Sequence, residues 1–274
     1  MFTGTKSGDY LHPAILLEDG RVVAAHPLDR AADGQFPLYS LSVDEQEWLC
    51  SVIYNFKAVS LHGQIYVVAE HAADPQERFR REILLLSHGK RLSLSGYGKF
   101  TNPQIVPFQN RLFICCEEHG AFSEDRRRQC RILVWSVAAD LSAYTLLAVS
   151  QGCEREYIPQ LAASSQHLLL ITEAFGGGRY RLLARILNGT GFGRPAEVGT
   201  DADNDQSPSI TVIGDRFYLF FENSQCLHKD YVYPLFPEYT IPSFGHGWRI
   251  NTRMYGRQMA VEEDAQGSTL LLSP

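Results

Sequence analysis

Asn102-Pro-Gln-Ile-Val-Pro-Phe-Gln-Asn-Arg-Leu-Phe-Ile-Cys-Cys-Glu117 decides the fold, because the chain repeats its frame. From Pro103, an apolar residue follows at Ile105, a polar turn at Gln109-Asn110, and then an apolar run that ends at Glu117. The same frame fits without a gap from Pro13 (Ile15, Asp19-Gly20, apolar 22–25, then His26) and from Lys57 (Val59, Gly63-Gln64, apolar 65–69, then Glu70-His71). It fits again from Pro159 (Leu161, Ser165-Gln166, apolar 168–171, then Glu173) and from Pro208 (Ile210, Gly214-Asp215, apolar 217–221, then Glu222). The anchors lie 44 to 56 residues apart. A period of that size marks an array of one supersecondary unit.

Each unit opens with two short apolar runs around a tight turn, which is a hairpin signal. The second run is apolar at consecutive positions, as in Leu112-Phe-Ile-Cys115, so both of its faces are covered. Small or polar residues follow the anchors at Ala14, Ala58, Gln104, Gln160 and Ser209, which suits strands crowded around an axis. Radially stacked four-stranded units satisfy this pattern, and the expected fold is all-β: a five-bladed β-propeller in one domain over 1–274. Its ring is expected to be closed by a strand from residues 1–11, which removes two sheet edges. Outer strands are expected at 38–43, 48–53, 81–86, 92–94, 131–137, 144–149 and 179–187. The proline-rich 223–245 reads as a long excursion, with strands resuming at 248–255. The tail at 259–272 reads as a hairpin that either completes blade five or begins a sixth, and a six-bladed ring is the alternative.

Composition narrows the partners. A net charge of −6 argues against general nucleic-acid affinity, and the clusters 78–81 and 126–128 read as solvated loop charge. No apolar run reaches the roughly 18 residues of a membrane span. The stretch from Met1 to Gly8 has no signal-type apolar core, so a cytoplasmic setting is expected. The 6 Cys show no framework or C-x-x-C spacing and read as free, mostly buried thiols. No His-x-x-x-His or Cys/His spacing suggests a metal centre, so neither metal nor cofactor is expected.

The repeats resemble those of the carbohydrate-active propellers: the five-bladed arabinanase and xylosidase-type enzymes, related glycoside phosphorylases, and the six-bladed sialidases. The stretch from Tyr180 to Glu222 is the most similar part, with Asp205-Gln-Ser-Pro-Ser-Ile and Phe217-Tyr-Leu-Phe-Phe-Glu222 looking like a sialidase-type blade junction. The resemblance is one of fold. Arabinanase-type enzymes carry an Asp before the first blade's Pro where this chain has His12, and the sialidase Ser-x-Asp-x-Gly-x-Thr-Trp box is absent. Catalytic residues therefore do not carry over. The resemblance implies a glycoside hydrolase or phosphorylase acting on a small sugar-like molecule in the central funnel. A non-catalytic propeller binding a sugar or a protein, and a lyase or cyclase with His and Tyr as acid and base, are the alternatives.

Antiparallel pairing puts strand-one starts and strand-two ends on one rim. Lys57, Asn102, Tyr157, Asp205 and His12 fall at the starts, and Glu70, His71, Glu117, His119, Glu173 and Glu222 at the ends. Glycoside cleavage needs two carboxyls, one protonated and one ionised. Asp205 is the expected inner carboxylate, partnered by Glu173 or Glu222, with His12 as a further catalytic candidate. Lys57, Glu70, His71, Asn102, Glu117, Tyr157 and Tyr231 are the expected substrate contacts. A Glu recurring at one offset also suits a structural device, accepting backbone N–H groups or pairing with an Arg.

Overall fold

The computed structural model describes residues 14–27, 39–43, 46–72, 80–96, 98–120, 130–150, 155–176, 179–189, 191–200, 204–226, 250–264 and 267–273. Among them every regular element is a strand, and no helix is long and apolar enough to cross a membrane. The chain divides into two units, Met1–Val149 and Ser150–Pro274.

The first unit holds three antiparallel meanders. The first comprises β1 (Ala14–Leu16), β2 (Val22–Pro27), β3 (Tyr39–Val43) and the opening of β4 (Gln46–Leu61). β4 then runs on as the first strand of the second meander, with β5 (Gln64–Ala72), β6 (Glu82–Ser87) and β7 (Lys90–Ser93). The third is β8 (Phe100–Phe108), β9 (Arg111–His119), β10 (Cys130–Ala138) and β11 (Tyr144–Ala148). The β4–β5 turn at His62-Gly63 has φ of 53° and 76°. Two positive φ values fit the twist of a two-residue hairpin, and glycine adopts the second without strain.

β5 shows why the apolar runs are continuous. Ile65, Val67 and Ala69 join a cluster with Val23, Leu41 and Ile53, while Tyr66 and Val68 join another with Ile83, Ile114 and Trp135. Side chains alternate across a strand, so a strand packed on both faces needs apolar residues at every position. Each such side chain contributes roughly 1.5–3 kcal/mol by leaving water.

The second unit holds two meanders. One is β12 (Arg155–Ala163), β13 (Leu168–Gly176) and β14 (Arg179–Asn188), with short β15 (Gly191–Phe192) and β16 (Ala196–Glu197) both paired to β14. The other is β17 (Asp205–Ile213), β18 (Arg216–Cys226), β19 (Ile250–Asp264) and β20 (Gly267–Ser273). The tail therefore supplies the third and fourth strands of this sheet, and 250–264 is one long strand where two were expected. Leu169, Ile171, Leu182, Phe217, Leu219 and Phe221 form the core shared by the two sheets. Beneath it Glu156 and Arg185 form a buried pair at 2.6 Å, with Thr172 donating to Glu156 at 2.8 Å. The expected ring-closing strand 1–11 and most of the 223–245 excursion lie outside the described residues.

Candidate functional site

The recurring prolines mark a break in the first strand of a meander. Pairing slips between Thr101 and Gln104, between Tyr157 and Gln160, and between Gln206 and Ser209. The residue before each proline has positive φ: Asn102 54°, Ile158 46°, Ser207 52°. Proline has no N–H to give the ladder, so a β-bulge is where a strand tolerates it. Directly across from the residue before each break stands a glutamate: Glu117 opposite Thr101, Glu173 opposite Tyr157, Glu222 opposite Gln206. In the second meander the slip falls between Ile53 and Asn55, and Glu70 lies opposite Asn55. Lys57 consequently pairs with Val68, further along the ladder than a gapless count places it.

In the first unit these rim residues form one network. Glu70, 3% exposed, accepts the Arg81 guanidinium and, at 3.4 Å, the backbone N–H of Asn102. Burial pushes the Glu70 carboxyl up, against the pull of Arg81 and the Asn102 N–H, and the nearby Glu117 charge adds to the rise. Arg81 also lies 3.8 Å over the Tyr54 ring. This corrects the reading of 78–81 as solvated loop charge for Arg81, whose guanidinium is held by both a ring and a carboxylate. The Asn102 amide donates to Glu117 Oε1 at 2.8 Å, so Asn102 ties both glutamates. Glu117 Oε2 takes the Thr101 hydroxyl at 2.9 Å and lies 2.9 Å from His119 Nε2. The same hydroxyl is 2.9 Å from His119 Nε2. Thr101, Asn102 and His119 are partly exposed. His71 points elsewhere: it is 3% exposed and bonded at 2.9 Å to Glu82, which also takes the Ser93 hydroxyl at 2.5 Å.

In the second unit Glu173, 6% exposed, accepts the N–H of Ser207 at 3.0 Å. Glu173 thus does for the bulge of β17 what Glu70 does for that of β8. Asp205, 1% exposed, accepts the Thr200 N–H at 2.5 Å, the Thr200 hydroxyl at 3.0 Å and the Asn223 amide at 2.8 Å. A side chain at Gly199 would collide with the Asp205 carboxylate, so the bend after β16 passes it closely enough to require glycine. Tyr157 and Glu222 are partly exposed, and His12 and Tyr231 lie outside the described residues.

Sequence reasoning missed Thr101 and Cys130. Cys130 pairs in register with His119, and Glu117, His119 and Cys130 bring ligand-type atoms within 4.8 Å of one another. The signal was Glu117-Glu-His119 closing one strand and a cysteine opening the next, a spacing across strands that no linear motif spells.

The sequence matches no family model and no curated protein. Solved structures do align. An ulvan lyase of a polysaccharide lyase family aligns at 10% identity and TM-score 0.53, over 81% of this chain and 66% of that one. A Penicillium chrysogenum α-L-arabinanase complexed with arabinobiose aligns at 11% identity and TM-score 0.49, over 80% and 66%. A Fusarium graminearum α-L-arabinofuranosidase, also with arabinobiose, aligns at 12% identity and TM-score 0.46, over 90% and 68%. The chain spans 66% of the length of the first two. At this identity the likeness is one of fold, and it is to carbohydrate-active β-propeller enzymes.

Proposed function

We propose that this chain is a carbohydrate-active enzyme that takes a small sugar-like ligand on the strand-end rim of its first unit. The grouping of Thr101, Asn102 and His119 around the Glu117 carboxylate supports this most. A hydroxyl, an amide and an imidazole, all partly exposed, match the mixed donors and acceptors of a sugar ring. The fold likeness to an ulvan lyase supports the same substrate class. The place of β19 and β20 in the last sheet supports a five-bladed ring over a six-bladed one. The full chain is tested by calorimetry with mono- and oligosaccharides, and by turnover of aryl glycosides, with and without phosphate, and of uronate oligosaccharides. Asn102→Gly removes the amide while tolerating the positive φ, so it abolishes binding or turnover in a chain that still folds, the lost bond to Glu117 costing about 1.5–3 kcal/mol. A parent protein inert to the whole panel sinks the reading, as does an unaffected variant.

A second reading, a non-catalytic sugar binder, draws on the saturation of the carboxylates. Glu70, Glu173 and Asp205 are 1–6% exposed with donors on them, which suits bracing more than flanking a scissile bond. Sugar binding without turnover anywhere in the panel is its expected signature.

A further inference from the structure

We propose that Glu117, His119 and Cys130 form a binding site for a divalent cation of the zinc type. Glu117 and His119 end β9, and residues two apart on a strand share a face. Cys130 opens β10 directly opposite His119, and Thr101 lies on β8 directly opposite Glu117. Residues paired across a ladder project to the same side, so all four side chains meet on one face at one sheet end. Their ligand atoms, the Thr101 hydroxyl aside, lie within 4.8 Å of one another. Bonds of about 2.0–2.3 Å set the ligand atoms of a tetrahedral ion roughly 3.3–3.7 Å apart, a spacing that small side-chain rotations reach.

The donor set is a thiolate, an imidazole and a carboxylate. Magnesium and calcium take oxygen ligands, whereas sulfur with nitrogen selects zinc and its borderline neighbours. Three protein ligands leave a fourth position for water or a ligand hydroxyl, the pattern of an open site. An outer partner is already in place. The Asn102 amide holds Glu117 Oε1 at 2.8 Å, leaving Oε2 on the His119 side, 2.9 Å from Nε2. Such partners orient ligands before the ion arrives. On binding, Cys130 gives its thiol proton to solvent as the sulfur–metal bond forms. His119 binds through Nε2 with its proton on Nδ1, and the Glu117–His119 hydrogen bond gives way to two metal bonds. No electron is transferred, and thiolate plus carboxylate balance the dication. The inference shares Glu117 and His119 with the sugar reading, but it requires no sugar and is tested without one.

The test loads the metal-free full chain with zinc chloride, read by calorimetry, and with cobalt(II), read by absorption. One equivalent per chain and a thiolate-to-cobalt charge-transfer band are expected. Cys130→Ser removes the band and weakens zinc at least tenfold, Asn102→Gly weakens it about tenfold, and Cys115→Ser, a neighbouring buried thiol, keeps the band. If Cys130→Ser does not fold, His119→Gln carries the same decision, since it alters a partly exposed side chain. No stoichiometric binding by the parent overturns the proposal, as does a band or an affinity that survives Cys130→Ser or His119→Gln. Sugar binding, run with and without zinc, fails or succeeds separately.

Discussion

Glu173 accepts the backbone N–H of Ser207 at 3.0 Å, stitching the second strand of one meander to the bulge that opens the next. The carboxylate is buried, so removing it strands that donor and its own cavity together. Glu173→Ala lowers stability by about 1.5–3 kcal/mol, the usual worth of a hydrogen bond to a charged group. Glu173→Gln, which keeps an acceptor, loses less. Urea unfolding of both variants checks the order. Equal loss in the two variants, or none, would show that the bond does not brace the bulge.

Asp205 holds Thr200 and Asn223 together, and the backbone at Gly199 passes against it. Gly199→Ala forces a methyl group into that carboxylate and costs about 1–3 kcal/mol by overpacking. Asp205→Ala leaves the Thr200 N–H without its acceptor and the Asn223 amide with only the Thr200 hydroxyl, and lowers the melting temperature as well. The double variant is less destabilised than the two losses added together, because each change removes the other's partner. Strict additivity in melting experiments would contradict the contact.

Ile158 sits at φ 46°, a conformation that a β-branched side chain adopts at a cost of about 1–2 kcal/mol. Asn102 occupies the matching place in the third meander with a residue that tolerates it. Ile158→Asn therefore raises stability by about 1 kcal/mol, and Asn102→Ile lowers it by more than that, because it also removes the amide bonded to Glu117. Denaturant midpoints for the two variants should move in opposite directions.

His71 carries a pH dependence. Burial holds its imidazole below the ordinary 6.5, against the pull of Glu82, while Arg91 adds to the lowering. The neutral form is the folded one. Its contribution is complete above about pH 6.5 and is lost as pH falls through the lowered value, because folding must then exclude a proton that the unfolded chain accepts. Between about pH 7.5 and about pH 5.5 the parent loses stability, and His71→Gln loses less over the same interval. Urea midpoints at the two pH values decide it, and identical slopes would refute the assignment.

The sheets were legible because their signals are local. Turn residues such as Gly63 and Gly214, consecutive apolar runs, and a recurring frame need no knowledge of neighbours. Register within the frame was not. The third meander slips at Asn102-Pro103, but the second slips earlier, near Tyr54, which shifts Lys57 along its ladder, and no residue type announces where a slip falls. The continuity of β4 could have been seen, since 46–61 contains neither glycine nor proline. The recurring glutamates were visible as a pattern, but their partners, Ser207 N–H and Asn102 N–H, belong to the following meander and are set by packing. Cys130 was invisible for the same reason: its nearness to His119 exists only across the β9–β10 ladder.

β4 belongs to two sheets at once, with Gln46 to Ser51 laddered to β3 and Val52 to Leu61 laddered to β5. In an array of repeats each module can ordinarily fray without its neighbour. Here no loop separates the first module from the second, so a disturbance that peels one end of the shared strand pulls on the amides of the other. The first two meanders should consequently exchange their slowest amide hydrogens as one cooperative block. The array has a welded joint at this place, and its effective folding unit is longer than its repeat.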